Sequence, residues 1–167
     1  MTQQFFFEDI KTSVGSIFIL EQKEGICLIL PSKDDKIKKI KEDLKPKKNL
    51  IFYKNIKKNL INYLNGKENL QNFPIVFLWG TPFQKQVWKK LTKITYGKKS
   101  NYSLIAQSMN KPKSQRAVGN AIGKNPIAFY IPCHRVIKKD GKLGGYAWGI
   151  SVKKKLLNIE EMADSIC

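Results

Sequence analysis

The chain has 167 residues, 42% of them hydrophobic, and carries 31 Lys and Arg against 13 Asp and Glu, a formal net charge of +18. This length and composition suit one compact domain or two small lobes with a hydrophobic core, and no apolar run reaches the roughly 18 residues that a membrane span needs. The three cysteines, Cys27, Cys133 and Cys167, are odd in number and irregularly spaced, which argues against a disulfide framework or a CxxC zinc site and for a reducing compartment.

Residues 1–75 predict a mixed αβ lobe. Stretches rich in β-branched and aromatic residues alternate with turn residues, which indicates an antiparallel meander, and segments with apolar residues at helical spacing follow. The predicted elements are strands at 5–10, 15–21 and 25–30 and helices at 36–44 and 53–64. Cys27 falls in the third strand and is expected in the core. The N-terminus shows no secretory signal, so we expect an intracellular protein of the cytoplasm, or of the nucleus in a eukaryote.

Lysines are frequent in this lobe, above all between Lys33 and Lys48. A strongly basic chain fits a polyanionic partner such as nucleic acid or a membrane surface. Lys, Asn and Ile are abundant throughout, as in proteins encoded by AT-rich genomes, so mutational bias on solvated faces explains these lysines equally well. The only two arginines, Arg116 and Arg135, lie within twenty residues of Cys133, which suggests contact with a phosphate, a base or a thiolate.

The second predicted lobe, residues 78–167, opens with Thr81-Pro82, an N-cap and first turn for a helix ending near Gly97. The next predicted elements are a helix at 103–109, a turn at 110–113 and a helix at 114–123, which together form a helix-turn-helix candidate. In the last of these helices, Arg116 precedes small residues and Gly119, although an interior glycine costs about 1 kcal/mol relative to alanine. Entry into a DNA groove and tight packing against another helix both explain this composition.

The apolar run 127–131 predicts a strand that ends at Cys133, and the chain's only histidine, His134, follows directly. A thiol attacks as the thiolate, and its free pKa of about 8.5 must be lowered by a nearby base or cation. Cys133 is therefore either a nucleophile or a small buried hydrophobic residue at the end of a core strand. Since adjacent side chains in a strand point to opposite sides, we expect a bridging water between Cys133 and His134.

Two further elements complete this lobe. A glycine-rich loop with aromatic residues, 144–149, could form the wall of a flat pocket. The predicted last helix, 152–162, has Glu160 on a largely inward face. Glu160 is either an ordinary surface acid near a helix end or the carboxylate that orients His134, and the preference of helices for acids at their start favours the second reading.

Several motifs of the second lobe occur in a specific order and spacing. They are Gly80-Thr81-Pro82-Phe83-Gln84, Val87-Trp88, Arg116-Ala117-Val118-Gly119, Asn125-Pro126, Ile131-Pro132-Cys133-His134-Arg135-Val136 and Gly145-Tyr146. Together they resemble the O6-alkylguanine-DNA alkyltransferases, also called methylated-DNA–protein-cysteine methyltransferases. The resemblance is close over about residues 78–162, and the first lobe matches only in layout. It implies an α/β (α+β) fold with a ribonuclease-H-like αβ lobe and a C-terminal helical lobe that holds a winged-helix-like helix-turn-helix.

The resemblance implies DNA repair by irreversible, single-turnover transfer of an alkyl group from O6-alkylguanine, and from O4-alkylthymine, to Cys133 after base flipping. No cofactor would be needed, and the partner would be double-stranded DNA bound by a monomer. The implied catalytic residues are Cys133, His134, which activates the thiol through water, Glu160, which orients His134, Tyr102, which protonates ring nitrogen 3 of guanine, and Lys153 near the base.

Other residues carried over by the resemblance bind DNA or shape the pocket. Those for DNA are Arg116, which fills the space of the flipped base, and Ala117, Gly119, Ser103 and Ser114, on a helix that enters the minor groove. Those for the pocket and its framework are Asn125, Arg135, Val136, Tyr146, Ala147, whose N–H would bind the oxygen at position 6, and Trp148.

The chain departs from the family pattern at three points. Trp148 stands where many members have glycine, which predicts a narrower pocket that favours methyl over benzyl groups. Asn101 precedes Tyr102 where Ser or Thr is usual, and the zinc ligands of some members are missing, so no metal is expected.

Three other functions fit parts of the sequence pattern. A lesion sensor that does not repair would lack the acceptor cysteine, and a cysteine hydrolase would need a base from elsewhere, although the chain has no second histidine. A simple helix-turn-helix regulator would explain the charge but not the Pro-Cys-His-Arg segment.

Overall fold

The computed structural model describes residues 3–164, which divide into two compact units between Leu78 and Trp79. The strands are β1 (Phe6–Thr12), β2 (Gly15–Gln22), β3 (Gly25–Pro31), β4 (Lys47–Lys48), β5 (Ser100–Asn101) and β6 (Val136–Ile137). The helices are α1 (Lys36–Leu44), α2 (Asn55–Leu64), α3 (Pro82–Leu91), α4 (Tyr102–Ser108), α5 (Gln115–Gly123) and α6 (Ile150–Asp164), with a 3₁₀ helix at Cys133–Arg135. Most strand residues lie in the first unit and most helices in the second, so the architecture is α+β, as predicted.

The first unit is built on a four-stranded sheet of order β3-β2-β1-β4. β1, β2 and β3 form the predicted antiparallel meander, and β4 pairs in parallel with β1. Residues 17–22 of β2 and 25–30 of β3 are buried without the alternation of a half-exposed strand, which indicates that both faces of the sheet are covered. The two-residue β4 has exposed lysines and was not predicted from the sequence.

One hydrophobic cluster joins this sheet to α1. Its buried members are Phe5, Phe18, Leu20, Cys27, Leu28, Leu30, Ile37 and Ile40. Cys27 is fully buried, as predicted, and burial, followed by the charges of Glu24 and Glu21, raises its pKa to about 12. This thiol therefore stays protonated at neutral pH. Cys167 lies outside the described residues.

The second unit begins with α3, whose N-terminus is the predicted one. Thr81 accepts a hydrogen bond from the Gln84 backbone N–H at 3.2 Å, and the Gln84 side chain accepts one from the Thr81 N–H at 2.9 Å, a complete capping box. The predicted end near Gly97 is wrong, because the helix stops at Leu91. The hydroxyl of Thr92 donates to the carbonyl of Lys89 at 3.0 Å. The chain then continues in turns whose backbone N–H groups donate to the carbonyl three residues earlier.

The helix-turn-helix is formed by α4 and α5, close to the predicted bounds. Their connection spans residues 109–114, longer than the predicted four-residue turn, and Asn110 takes a left-handed conformation with φ of 57°. Both α3 and α4 contact α5, and the indole N–H of Trp88 donates to the carbonyl of Ala121 at 2.8 Å. Among residues 3–164, no helix is long and apolar enough to cross a membrane.

The predicted strand at 127–131 is wrong. This segment forms tight turns, with hydrogen bonds from Ile131 N to Ile127 O at 3.0 Å and from Tyr130 N to Ala128 O at 2.9 Å, and Phe129 has φ of 69°. The run is apolar because it is buried, and burial alone does not distinguish a core strand from a packed turn. Cys133 and His134 consequently lie in a 3₁₀ helix, where successive side chains diverge by about 120° rather than by strand alternation.

Candidate active site

Cys133 faces a cavity of about 250 Å³ within the second unit. The cavity is lined by Tyr102, Gly119, Ile122, Gly123, Asn125, Ala128, Cys133, Gly145, Tyr146, Ala147 and Trp148. These residues come from the start of α4, the end of α5, the turns before the 3₁₀ helix and the glycine-rich loop. A cavity of this size, walled by aromatic and small residues, suits one flat ring system.

The thiol of Cys133 is held by Asn125. The side-chain NH₂ of Asn125 donates to Sγ at 3.0 Å and to the carbonyl of Ile131 at 2.9 Å, while its side-chain oxygen accepts from the N–H of Ile127 at 3.0 Å. Burial raises the pKa of Cys133, and the interactions with Asn125, Lys153 and Tyr146 act to lower it. The resting thiol is therefore protonated and surrounded by groups that favour the thiolate.

His134 is fully buried beside Glu160. Its Nε2 lies 3.0 Å from Oε1 of Glu160, which is 1% exposed. Burial acts to raise the pKa of Glu160, but hydrogen bonds from His134 and Arg135 outweigh it and lower the pKa to about 2. Burial also lowers the pKa of His134. An ionised Glu160 therefore holds the proton of a neutral imidazole on Nε2 and leaves the lone pair on Nδ1.

Arg135 is buried, and its guanidinium group is hydrogen-bonded inside the protein. Its Nε and Nη2 donate to the two oxygens of Glu160, each at 2.8 Å, and its Nη1 donates to the carbonyl of Ile94 at 2.5 Å. The backbone N–H of Gly97 also donates to Glu160 at 3.3 Å. Arg135 therefore fixes the carboxylate that pairs with His134, and the phosphate or base contact considered from the sequence is wrong for this residue. Glu160 is no surface acid, which resolves the alternative left open above.

Lys153 is a buried lysine, 1% exposed, in α6. Its ammonium group donates to the carbonyls of Val136 at 2.6 Å, Leu143 at 2.5 Å and Gly145 at 3.4 Å. These bonds tie the glycine-rich loop to β6. Burial lowers the pKa of Lys153, and the charge of Cys133 acts to raise it. Lys153 thus joins two segments of the cavity wall and brings positive charge to the thiol.

Two short strands bring Tyr102 to the same cavity. The parallel pair β5–β6 aligns Ser100 with Val136, directly after the 3₁₀ helix, and Asn101 caps α4 through a 3.0 Å bond from the Leu104 N–H. Asn101 thus makes the cap that a Ser or Thr at this position would make, since asparagine is as good an N-cap as serine. Burial, followed by the charge of Cys133, raises the pKa of Tyr102, so its hydroxyl keeps its proton.

Trp148 and Tyr146 are, with Tyr102, the aromatic residues of the wall. The Trp148 ring meets Phe129 edge-on, with centroids 4.9 Å apart and planes at 64°. The Tyr146 ring lies edge-on to His134 at 6.5 Å. Ala147 between them is exposed, whereas Val136 is buried.

The predicted DNA-binding residues differ in exposure, and one of them, Gly119, also lines the cavity. Arg116 and Ala117 are exposed, and Ser103, Ser114 and Gly119 are partly buried. A Cβ added at Gly119 would lie 3.6 Å from the Tyr102 ring, an ordinary contact. Packing inside the protein therefore does not require a glycine here, which favours close approach of an external molecule over tight helix packing.

Charge is distributed unevenly along the chain. Residues 79–139 hold 11 lysines and two arginines and no Asp or Glu, whereas Asp34, Asp35, Glu42 and Asp43 are interspersed with the lysines of residues 33–48. A mutational bias toward lysine does not remove acids. The acid-free segment therefore favours a polyanionic partner for the second unit, while bias remains sufficient for the lysines of the first.

Sequence reasoning missed several parts of this site. It assigned Asn125 to the turn but not to Sγ, and it did not identify Ile122, Ala128 or the carbonyl of Ile94. These contacts depend on turns that the apolar pattern of residues 127–131 concealed. The described residues include no group of three or more His, Cys, Asp and Glu side chains that could hold a metal ion.

Comparison with known proteins gives a consistent family. Residues 82–162 match the sequence model described as "6-O-methylguanine DNA methyltransferase, DNA binding domain". The methylated-DNA–protein-cysteine methyltransferase of Methanosarcina mazei is 38% identical over 156 residues, which cover 93% of this chain and 97% of that protein. The protein of the same name from Methanosarcina barkeri is 57% identical over 82 residues, which span only 52% of its length.

A solved structure resembles the whole fold. It is Mycobacterium tuberculosis OGT in complex with DNA, with a TM-score of 0.83 and 30% identity over 94% of this chain and 93% of that one. Since the agreement extends over nearly the full length in both sequence and structure, the chain belongs to the methylated-DNA–protein-cysteine methyltransferase family.

Proposed function

We propose that this protein repairs DNA by transferring the alkyl group of O6-alkylguanine, and of O4-alkylthymine, irreversibly to Cys133. The observation that carries the proposal is the buried thiol of Cys133 at the wall of a base-sized cavity. Asn125 donates a hydrogen bond to its Sγ, and His134, in the same 3₁₀ helix, pairs with Glu160 of α6. The family relatives and the DNA complex of the M. tuberculosis protein support the same reaction.

The reaction begins with proton removal from Cys133. The imidazole of His134 is neutral because burial lowers its pKa, so it accepts the thiol proton through a bridging water, and the resulting imidazolium is stabilised by Glu160. The positive charge of Lys153 stabilises the thiolate. Arg135 acts through Glu160 as a positioning residue.

The thiolate then attacks the alkyl carbon. The new S–C bond forms as the C–O6 bond breaks, and the electron pair of that bond moves into the guanine ring. The hydroxyl of Tyr102, whose pKa is raised, donates its proton to ring nitrogen 3, and the N–H of Ala147 binds the oxygen at position 6. Water does not readily cleave the thioether, and Cys27 is buried in the sheet of the first unit with a pKa of about 12. Each molecule therefore reacts once.

DNA binding is assigned to the exposed face of α5. A base inside the duplex must be flipped into the cavity, at a cost of a few kcal/mol that a damaged pair reduces. Arg116 fills the vacated space in the stack, and Ala117 and Gly119 let the helix approach the floor of a minor groove about 6 Å wide. Ser103 and Ser114, near the N-termini of α4 and α5, bind backbone phosphates.

The finer description of the architecture belongs to this proposal. The sheet order β3-β2-β1-β4, with β4 parallel to β1, supports a ribonuclease-H-like αβ lobe over residues 1–75. The α3–α5 helices with the β5–β6 pair support a winged-helix-like DNA-binding and alkyl-acceptor domain over residues 78–167. The protein acts as a monomer on double-stranded DNA, in the cytoplasm or, in a eukaryote, in the nucleus.

Intact mass after incubation with a duplex containing one O6-methylguanine tests the proposal. We expect a gain of one methylene unit per molecule, and no gain in Cys133→Ala. Unchanged mass with retained lesion binding would overturn the repair reaction in favour of a lesion sensor. A mass gain that persists in Cys133→Ala would overturn the assignment of the acceptor.

A further inference from the structure

A second basic site lies in the same unit, at the other end of α4 from the cavity. Lys89, Lys90 and Lys93 of α3 and its following turn face Ser108 and Asn110, at the end of α4, across an open concavity of about 430 Å³. α4 has seven residues, so this site is about 10 Å from its active-site end.

The side chains of the three lysines are at least partly open to solvent. Lys89 and Lys93 are exposed, and within residues 3–164 none of the three forms a salt bridge. All three lie within the acid-free segment of residues 79–139. The other polar groups of the concavity, from Gln86, Ser108 and Asn110, are neutral hydrogen-bonding side chains of the kind that contact phosphate oxygens.

The site is continuous along the chain with the proposed DNA-binding helix. From Asn110, which lines the concavity, the connection passes through Lys111 and Lys113 to Arg116, and every charged residue on this path is positive. Lys111 is anchored with its ammonium group 5.4 Å from the Phe83 ring centroid. The chain that joins the concavity to α5 therefore offers only positive charge to a polyanion bound along α5.

We infer that Lys89, Lys90 and Lys93 bind the sugar-phosphate backbone of the lesion-containing duplex on one flank of the flipped base. The site lengthens the DNA footprint in one direction and contributes affinity without reading sequence. The inference rests on the proposed function only in taking duplex DNA as the ligand, and it assigns the three lysines no part in the chemistry.

The first test is the salt dependence of binding to an undamaged duplex. The variant Lys89→Gln/Lys90→Gln/Lys93→Gln should lower the magnitude of the log–log salt slope by about 2 to 3, since each phosphate contact contributes roughly 0.9. The matched control is Lys36→Gln/Lys38→Gln/Lys39→Gln, on exposed positions of α1, with the same change in net charge. Equal slopes for the two variants would overturn the inference.

The second test places the contact on one flank. In a Cys133→Ala background, two duplexes of equal length carry O6-methylguanine near opposite ends of the damaged strand. We expect unequal affinities that become equal in the lysine variant. An inequality that survives in the lysine variant overturns the inference, as does lysine-dependent binding of a second, separate duplex.

Two readouts separate this inference from the proposed function. Methylation of Cys133 in otherwise unsubstituted protein by free O6-methylguanine base should be unchanged in the lysine variant, because the small molecule needs no backbone contact. If the protein did not recognise lesions, the equal-length duplexes would bind equally even without the lysine substitutions, while the salt slopes would still report on the lysine site.

Discussion

Glu160 is the residue on which the interior of the second unit depends most. Its two oxygens receive hydrogen bonds from Arg135 and Gly97 and pair with His134. Removing one partner of a buried ion pair leaves an uncompensated charge and costs about 3 to 5 kcal/mol. We expect Glu160→Gln to lower the free energy of unfolding by this amount, measured by urea denaturation, and to abolish methyl transfer.

The neighbouring Glu161 gives a matched control. The decrease in the free energy of unfolding at acid pH gives a second readout. Glu161 pairs with Lys99 at the surface, so Glu161→Gln should cost less than about 1 kcal/mol. Because the pKa of Glu160 is about 2 in the folded protein against 4.5 ordinarily, its stabilisation is complete above pH 4.5 and is lost as the pH falls toward 2. The lowered pKa of His134 adds a loss that starts below its ordinary value of 6.5. In Glu160→Gln the free energy of unfolding should decrease less steeply below pH 4.5. An unchanged pH dependence in this range would contradict this account.

The side chain of Trp148 limits the width of the cavity. Its ring is held against Phe129 and lines the cavity. We expect the protein to react faster with O6-methylguanine than with O6-benzylguanine and Trp148→Ala to reduce the ratio, as measured by single-turnover rates. Trp79→Ala, at an exposed tryptophan outside the cavity, should leave the ratio unchanged. Equal rates on both substrates before substitution would contradict the prediction.

At the scale of elements, α5 is built for contact on its outer face. Replacing Gly119 by Ala removes the cost of an interior helix glycine, about 1 kcal/mol, and adds only an ordinary contact with Tyr102. We therefore expect Gly119→Ala to raise the melting temperature while weakening duplex binding, measured by fluorescence anisotropy. A variant that is more stable and binds DNA as well as before would leave the minor-groove assignment without support.

Element prediction from the sequence succeeded where local chemistry decides and failed where burial decides. The capping pair Thr81 and Gln84 marked the start of α3, whereas its end at Leu91 depends on a side-chain bond from Thr92 that has no pattern. The turns at residues 127–131 depend on Asn125, which bonds to Ile127 and Ile131. An apolar run gives no sign of such a bond, so the contact of Asn125 with Sγ could not be found either.

For the whole molecule, the uneven charge predicts how DNA binding responds to salt. The cations of residues 79–139 face no acid in that segment, so binding should release counterions from the DNA. We expect the affinity for undamaged duplex to fall linearly on a log–log plot with salt, and to vary little with base sequence. An affinity that is constant between low and moderate salt would contradict a role for this surface.

The same acid-free segment has a consequence for the unbound protein. Like charges on α3 and on the segments that flank α4 and α5 repel one another, and this repulsion opposes the compact state. A bound polyanion or a screening electrolyte removes the repulsion. The basic surface thus lowers the stability of the unbound second unit, and either a bound duplex or added salt should raise its resistance to unfolding.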